Sequence, residues 1–166
     1  MYATLFLSFN KIILMRNLFF IALAFCLLSF LKPDERISKL NIIVDDWHLA
    51  ASNADFDSYF GPMTDAFIFL GTAPGERWGK EEFASFSKPY FDKGAAWDFK
   101  ASNRNWQFSK NKKVAWFEED LDTWMEGCRG SGIMIKKKGE WRIEYYNLTV
   151  LIENEKIKEF IKLRKE

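Results

Sequence analysis

A chain of 166 residues fits one domain with an appendage and is long enough to bury a single core. Hydrophobic residues make up 48% and aromatics 17%, including seven Trp and seventeen Phe, which excludes a disordered chain and favours walls of cavities and interfaces. A net charge of +1 excludes a global field for nucleic acid or acidic lipid, and two cysteines, Cys26 and Cys128, form neither a disulfide framework nor a metal-ligand set.

Residues 1–32 read as an export signal or membrane anchor. Leu18 to Leu31 is a run of fourteen residues without charge, preceded by Lys11 and Arg16. A spanning helix needs roughly 20 apolar residues and a signal core about 7–15, so export fits better than permanent spanning. Lys32, Pro33, Asp34 and Glu35 then turn the chain polar. No Ala-x-Ala site follows. Leu23-Ala24-Phe25-Cys26 resembles a lipoprotein box with a large residue where a small one is wanted, so a lipid anchor ranks second and an ordinary helix third. The expected location is exported, periplasmic or membrane-associated, with membrane contact only through this segment.

Residues 33–152 form the functional domain. Pro33 and Asp34 suit a first helical turn. Ile37, Leu40, Val44, Trp47 and Ala51 then recur at helical steps, with His48 at the edge of the stripe. Asp55 caps a second, short helix bearing Phe56, Tyr59, Phe60 and Met63. Ala66 to Thr72 is an apolar strand, and Pro74-Gly75 a turn. A third helix follows Gly79, with Phe83, Phe86 and Tyr90 along one side. Alternating strands come next: Trp97, Phe99 and Ala101; Val114, Trp116 and Glu118; then a hairpin turn at Lys137-Lys138-Gly139-Glu140 joining Ile133–Lys136 to Trp141–Thr149. Lys110, Lys112 and Lys113 mark a solvated turn. Residues 153–166 are a helical tail. Three N-terminal helices followed by antiparallel strands argue an α+β fold, a sheet packed on one helical layer.

The glycine cluster Gly127-Cys128-Arg129-Gly130-Ser131-Gly132 precedes a strand rather than a helix, so no anion-binding helix start follows it; glycines there predict a kink that curves the sheet. Cys128 reads as a small buried residue. Glu118, Glu119, Asp120 and Asp122 crowd one strand, where alternation sends at most half inward, and their spacing fits no calcium loop. No metal and no cofactor is expected. His48, the single histidine, titrates near neutrality and is the candidate acid–base group, with Glu118 or Asp120 as its inward carboxylate.

Phe67-Ile68-Phe69-Leu70-Gly71-Thr72, Glu76-Arg77-Trp78-Gly79-Lys80-Glu81-Glu82-Phe83, Val114 to Asp120, Cys128 to Gly132 and Trp141 to Leu148 together resemble, in order and content, the SnoaL-like branch of the nuclear-transport-factor-two-like superfamily. The resemblance runs from about Ile37 to Ile152. It implies a cone: a strongly curved antiparallel sheet closed by the first helix around an open, apolar pocket. Aromatic residues Trp47, Phe69, Trp78, Tyr90 and Trp116 are its expected ligand-binding lining, with Arg129, Tyr145 and Asn147 as polar handles. Matched on the Arg77-Trp78-Gly79 turn, the base of the related ketosteroid isomerases falls at Leu70 and their tyrosine donor near Trp47. Leucine takes no proton, so that mechanism loses its base.

Three functions follow. The first is a small-molecule-binding domain for a hydrophobic or amphipathic ligand, homodimeric through the convex sheet face. The second is an enzyme of cyclase, isomerase or hydrolase type using His48 with an inward carboxylate. The third is a protein-interaction module, which an outward apolar patch of Trp97, Trp116 or Trp124 would mark. Nucleic acid is not an expected partner.

Overall fold

The structure is a computed structural model describing residues 34–94 and 96–165; the apolar run at 18–31 and Cys26 lie outside the described residues. Among the described residues no helix is long and apolar enough to cross a membrane. The chain divides into two units, Met1–Lys39 and Leu40–Glu166. The described part of the first opens helix α1 (Glu35–Ser52), where Lys39 pairs with Glu35 at 3.0 Å one turn away.

In the second unit the helical stripe buries Leu40, Val44, Trp47 and Ala51, the residues whose spacing predicted it. Helix α2 (Phe56–Phe60) starts at Asp55, whose Oδ1 accepts from the Ser58 backbone N–H at 3.0 Å. Strands β1 (Met63–Leu70) and β2 (Arg77–Gly79) form a short hairpin, and α3 (Lys80–Asp92) follows at once. The Gly79 N–H donates to Glu82 Oε2 at 2.9 Å, which ties off the helix start. Four long strands complete the sheet: β3 (Lys100–Phe108), β4 (Val114–Thr123), β5 (Glu126–Lys137) and β6 (Glu140–Val150). A 3₁₀ turn (Asn154–Lys156) leads to α4 (Ile157–Leu163), which buries no residue.

The six strands lie in the order β2-β1-β6-β5-β4-β3. β1 runs parallel to β6, so the sheet is mixed where the sequence suggested an antiparallel one. The last strand returns beside the first only after the chain has passed through α3 and four strands, and it arrives in the same direction.

One cross-strand row organises the inner face. Trp78, Phe69, Tyr146, Gly132, Phe117 and Trp106 are successive partners across all six strands. Trp106 and Phe117 rings meet at 4.5 Å, and Phe69 stacks on Phe83 of α3 at 4.1 Å and 11°. Gly132 is where the row makes room: a Cβ there would lie 2.3 Å from Phe117 Cε1. Gly130 does the same for Tyr146, whose phenol oxygen would be 2.0 Å from an added Cβ. These glycines therefore clear space for rings, and the β5–β6 register shifts just beyond them, between Ile133 and Met134. The glycines with positive φ are Gly75, Gly94 and Gly139, all in turns or at a helix end.

Two strand limits also moved. β1 begins at Met63, directly after Pro62. Trp97 and Phe99 precede β3 rather than opening it, because the Trp97 ring packs on Phe83 and Phe91 of α3 at 6.0 and 5.6 Å. Ring burial there outweighs strand pairing.

Replacing Gly132 by Ala should force Phe117 off its rotamer and lower unfolding free energy by about 1–3 kcal/mol, read from the urea midpoint. An unchanged midpoint would show that Phe117 has room to move.

Candidate functional site

Strand alternation places Ala115, Phe117, Glu119 and Leu121 inward on β4, and Trp116, Glu118, Asp120 and Asp122 outward. The carboxylate that meets His48 is thus Glu119, not Glu118 or Asp120, which lie on the opposite face. Glu119 is 1% exposed and accepts three hydrogen bonds. His48 Nε2–H donates to Oε1 at 2.8 Å, Tyr146 Oη–H donates to the same oxygen at 2.7 Å, and Arg104 Nε donates to Oε2 at 2.7 Å. One side chain thereby joins α1, β3, β4 and β6.

A bulge delivers the arginine. Ser102 pairs with Asp120 and Asn105 with Glu118, so Asn103 and Arg104 together oppose Glu119. Asn103 takes φ +50°, and Arg104 turns inward. Its Nη1 also donates to Asp45 Oδ1 at 2.7 Å and to Asn41 Oδ1 at 3.3 Å, tying the strand to α1 a second time. Trp106 Nε1–H reaches Asn41 Oδ1 at 2.7 Å.

Burial by itself would push the Glu119 carboxyl up. The hydrogen bond and charge of His48, then Arg104 and the Tyr146 hydroxyl, outweigh it and hold the group below its ordinary range. Burial, reinforced by the Glu119 charge, pushes the Tyr146 phenol well above its usual value, so it stays a donor. Glu119 is therefore an ionised acceptor locked among donors. Among the described residues no group of three or more His, Cys, Asp and Glu is placed to hold a metal ion.

The open space lies elsewhere. The region under α1 is filled: Trp47 is 2% exposed, stacks on Tyr59 at 4.9 Å and meets Tyr146 edge-on at 4.8 Å. A cavity of about 160 Å³ remains beside α3, between β1, β2 and the β4–β5 turn. Phe69, Trp78, Phe83, Phe86, Trp97 and Phe99 form its walls, with Leu148, Trp124 and Met125 completing the apolar lining and Gly71, Thr72 and Glu76 its polar edge. Trp78 stacks on Phe86 at 4.5 Å and 20°. Cavities of about 150 Å³ lined by apolar side chains hold one benzene-sized guest. His48 is not on the wall; its ring lies 6.3 Å from that of Phe99, which is.

Of the residues singled out from the sequence, Phe69 and Trp78 line this cavity. Trp47 is core, and Tyr90 is 45% exposed on α3. Trp116, Arg129, Tyr145 and Asn147 lie on the outer sheet face, where Trp116 donates to Gln107 Oε1 at 2.8 Å and Arg129 stands opposite Asp120. Sequence reasoning missed Arg104, Tyr146 and the inward Glu119. It also did not assign Phe83, Phe86, Phe99 and Met125 to the lining, although three of them sat in readable positions on a helix and strand.

A family model, described as a SnoaL-like domain, matches residues 40–153. Among solved structures, a cystatin-like domain of unknown function from Nostoc punctiforme is 16% identical, with 81% of this chain and 89% of that chain covered and a TM-score of 0.65. An NTF2-like protein of unknown function from Pseudomonas putida is 12% identical, covering 71% and 88%, at a TM-score of 0.59. An NTF2-like protein from Cytophaga hutchinsonii is 16% identical, covering 72% and 100%, at 0.58. At these identities the likeness shows the fold. No curated protein matches the chain.

Truncating Glu119 to Ala leaves Arg104 and two further donors buried without an acceptor, and should cost about 3–5 kcal/mol in urea unfolding. Linkage gives a second outcome. A carboxyl held lower in the folded state than its unfolded value of about 4.3 contributes fully above that pH and loses the contribution as pH falls through the folded value. The acid arm of the stability curve should flatten in Glu119→Gln; an arm of equal slope would place the titration in other carboxylates.

Proposed function

The chain belongs to the SnoaL-like domain family, and from that premise we propose that it is a small-molecule-binding domain whose site is the aromatic cavity beside α3. The observation that carries this reading is a ring-sized apolar cavity edged by few polar groups, a usual design for ligand sites. Its walls are rings already stacked on one another, Phe69 on Phe83 and Trp78 on Phe86, so they form without the ligand and little ordering is needed on binding. Glu76 is the one ionisable residue on the lining, and a lone carboxylate without a proton-transfer partner supports binding over chemistry.

A second reading has its own support. His48, Glu119 and Tyr146 form a buried acid–base set directly behind Phe99, and a ligand displacing that ring would reach it. We rank it below binding, because both the histidine Nε2 and the carboxylate are committed to each other and to the fold. Two further proposals concern context. The charge-free run at 18–31 supports delivery to or through a membrane. The row Trp116, Ile133 and Tyr145 on the outer face, with Trp116 39% and Ile133 36% exposed, supports a homodimer through the sheet.

Saturation-transfer NMR with tert-butylbenzene tests the binding reading. Binding with a Kd on the order of 0.1 mM is expected, weakened about fivefold or more by Trp78→Ala and unaffected by Trp116→Ala on the outer face. Absence of binding, or equal loss in both variants, would overturn the cavity as the site.

A further inference from the structure

The charge around this cavity has one sign. Its lining carries three tryptophans, Trp78, Trp97 and Trp124, together with Phe rings, and a single charged residue, Glu76. The nearby cations are directed elsewhere: Lys80 Nζ donates to the Met63 carbonyl at 3.1 Å, and Arg77 is exposed without lining the cavity. We propose that the ligand is a small organic cation, an aromatic or alkyl ammonium whose charged head lies among the tryptophan faces with Glu76 as counter-ion. The proposal rests on the cavity being the binding site and names the chemistry of its guest.

The tryptophan π-faces carry the negative end of the ring quadrupole and attract a cation within about 6 Å, most strongly where water is excluded. Three tryptophans bordering one ring-sized space favour a quaternary ammonium, which has no N–H to satisfy, or a tertiary one whose single N–H donates to Glu76; either matches an apolar lining. Glu76 is positioned rather than loose. Its Oε2 accepts from the Ala73 backbone N–H at 2.9 Å, and the side chain folds over Gly71, where a Cβ would lie 2.2 Å from that oxygen. Glycine at 71 is what lets the carboxylate lie against the cavity edge. Among the described residues no hydrogen bond occupies Oε1, so that oxygen is available to a bound cation. An anionic guest meets the opposite situation: a fixed like charge, and no basic residue on the wall.

Three probes of one shape separate the outcomes: phenyltrimethylammonium, its uncharged carbon isostere tert-butylbenzene, and benzenesulfonate. Affinities are read by tryptophan fluorescence or saturation-transfer NMR on the full chain. The cation should bind about tenfold tighter than the neutral isostere, and benzenesulfonate weakest. In Glu76→Gln the ratio of cation to neutral affinity should fall severalfold, and added salt should lower it in the native protein. Equal affinity of cation and isostere, or tightest binding of the sulfonate, overturns the cation while leaving the cavity as a binding site. Failure of all three probes overturns both readings.

Discussion

A single buried carboxylate decides how the helical layer sits on the sheet. Glu119 lies at 1% exposure, where an unpaired charge is untenable, and it persists because three donors from three elements converge on its two oxygens. Each donor has geometric consequences. His48 fixes the rotation of α1, since the same helical turn must put Trp47 against Tyr59. Arg104 requires the β3 bulge, and Tyr146 requires Gly130. Such a set is costly to assemble and more costly to leave incomplete, so it registers α1 against β3, β4 and β6.

The location of the cavity follows. Among the described residues the polar hub and its aromatic surround fill the space between α1 and the strands it packs on: Trp47, Tyr59, Tyr146 and Glu119 are all nearly fully buried. The aromatic-lined space lies beside α3, where Trp124 of the β4–β5 turn stands 81% exposed at the rim. There the walls are apolar rings fixed by stacking, and the polar edge comes from the loop between β1 and β2. Hub and cavity share a boundary through Phe99 and Phe69, yet they have opposite character: one closed and charged, the other open and apolar.

Much of the fold was legible because its signals are local. The stripe Leu40, Val44, Trp47, Ala51 gave α1, Asp55 gave the start of α2, and Lys137 to Glu140 gave the β5–β6 hairpin. The site was harder, since it depends on register. A one-residue shift of alternation on β4 exchanges Glu118 and Asp120 for Glu119, and nothing local in four crowded carboxylates fixes which one points inward. The flanking Ala115, Phe117 and Leu121 were the available signal: three apolar residues in phase with Glu119. Arg104 had no such signal, because a bulge at Asn103 breaks the alternation that would place it. The roles of Gly130 and Gly132 depend on the rings of Tyr146 and Phe117 across the sheet, and neither is visible from sequence neighbours. Trp47, Trp116 and Tyr145 are aromatic residues of the kind that line hollows. Only packing distinguishes a ring that fills the core from one that borders a cavity or covers an outer face.

The division between a closed hub and an open cavity is the central claim, and the indole N–H signals of the seven tryptophans report on both at once. Two-dimensional NMR of the protein during addition of a ring-sized apolar guest should move the Trp78, Trp97 and Trp124 signals and leave those of Trp47 and Trp106 in place. Large shifts at Trp47 and Trp106, with the cavity tryptophans unmoved, would put the guest beneath α1 and contradict the account.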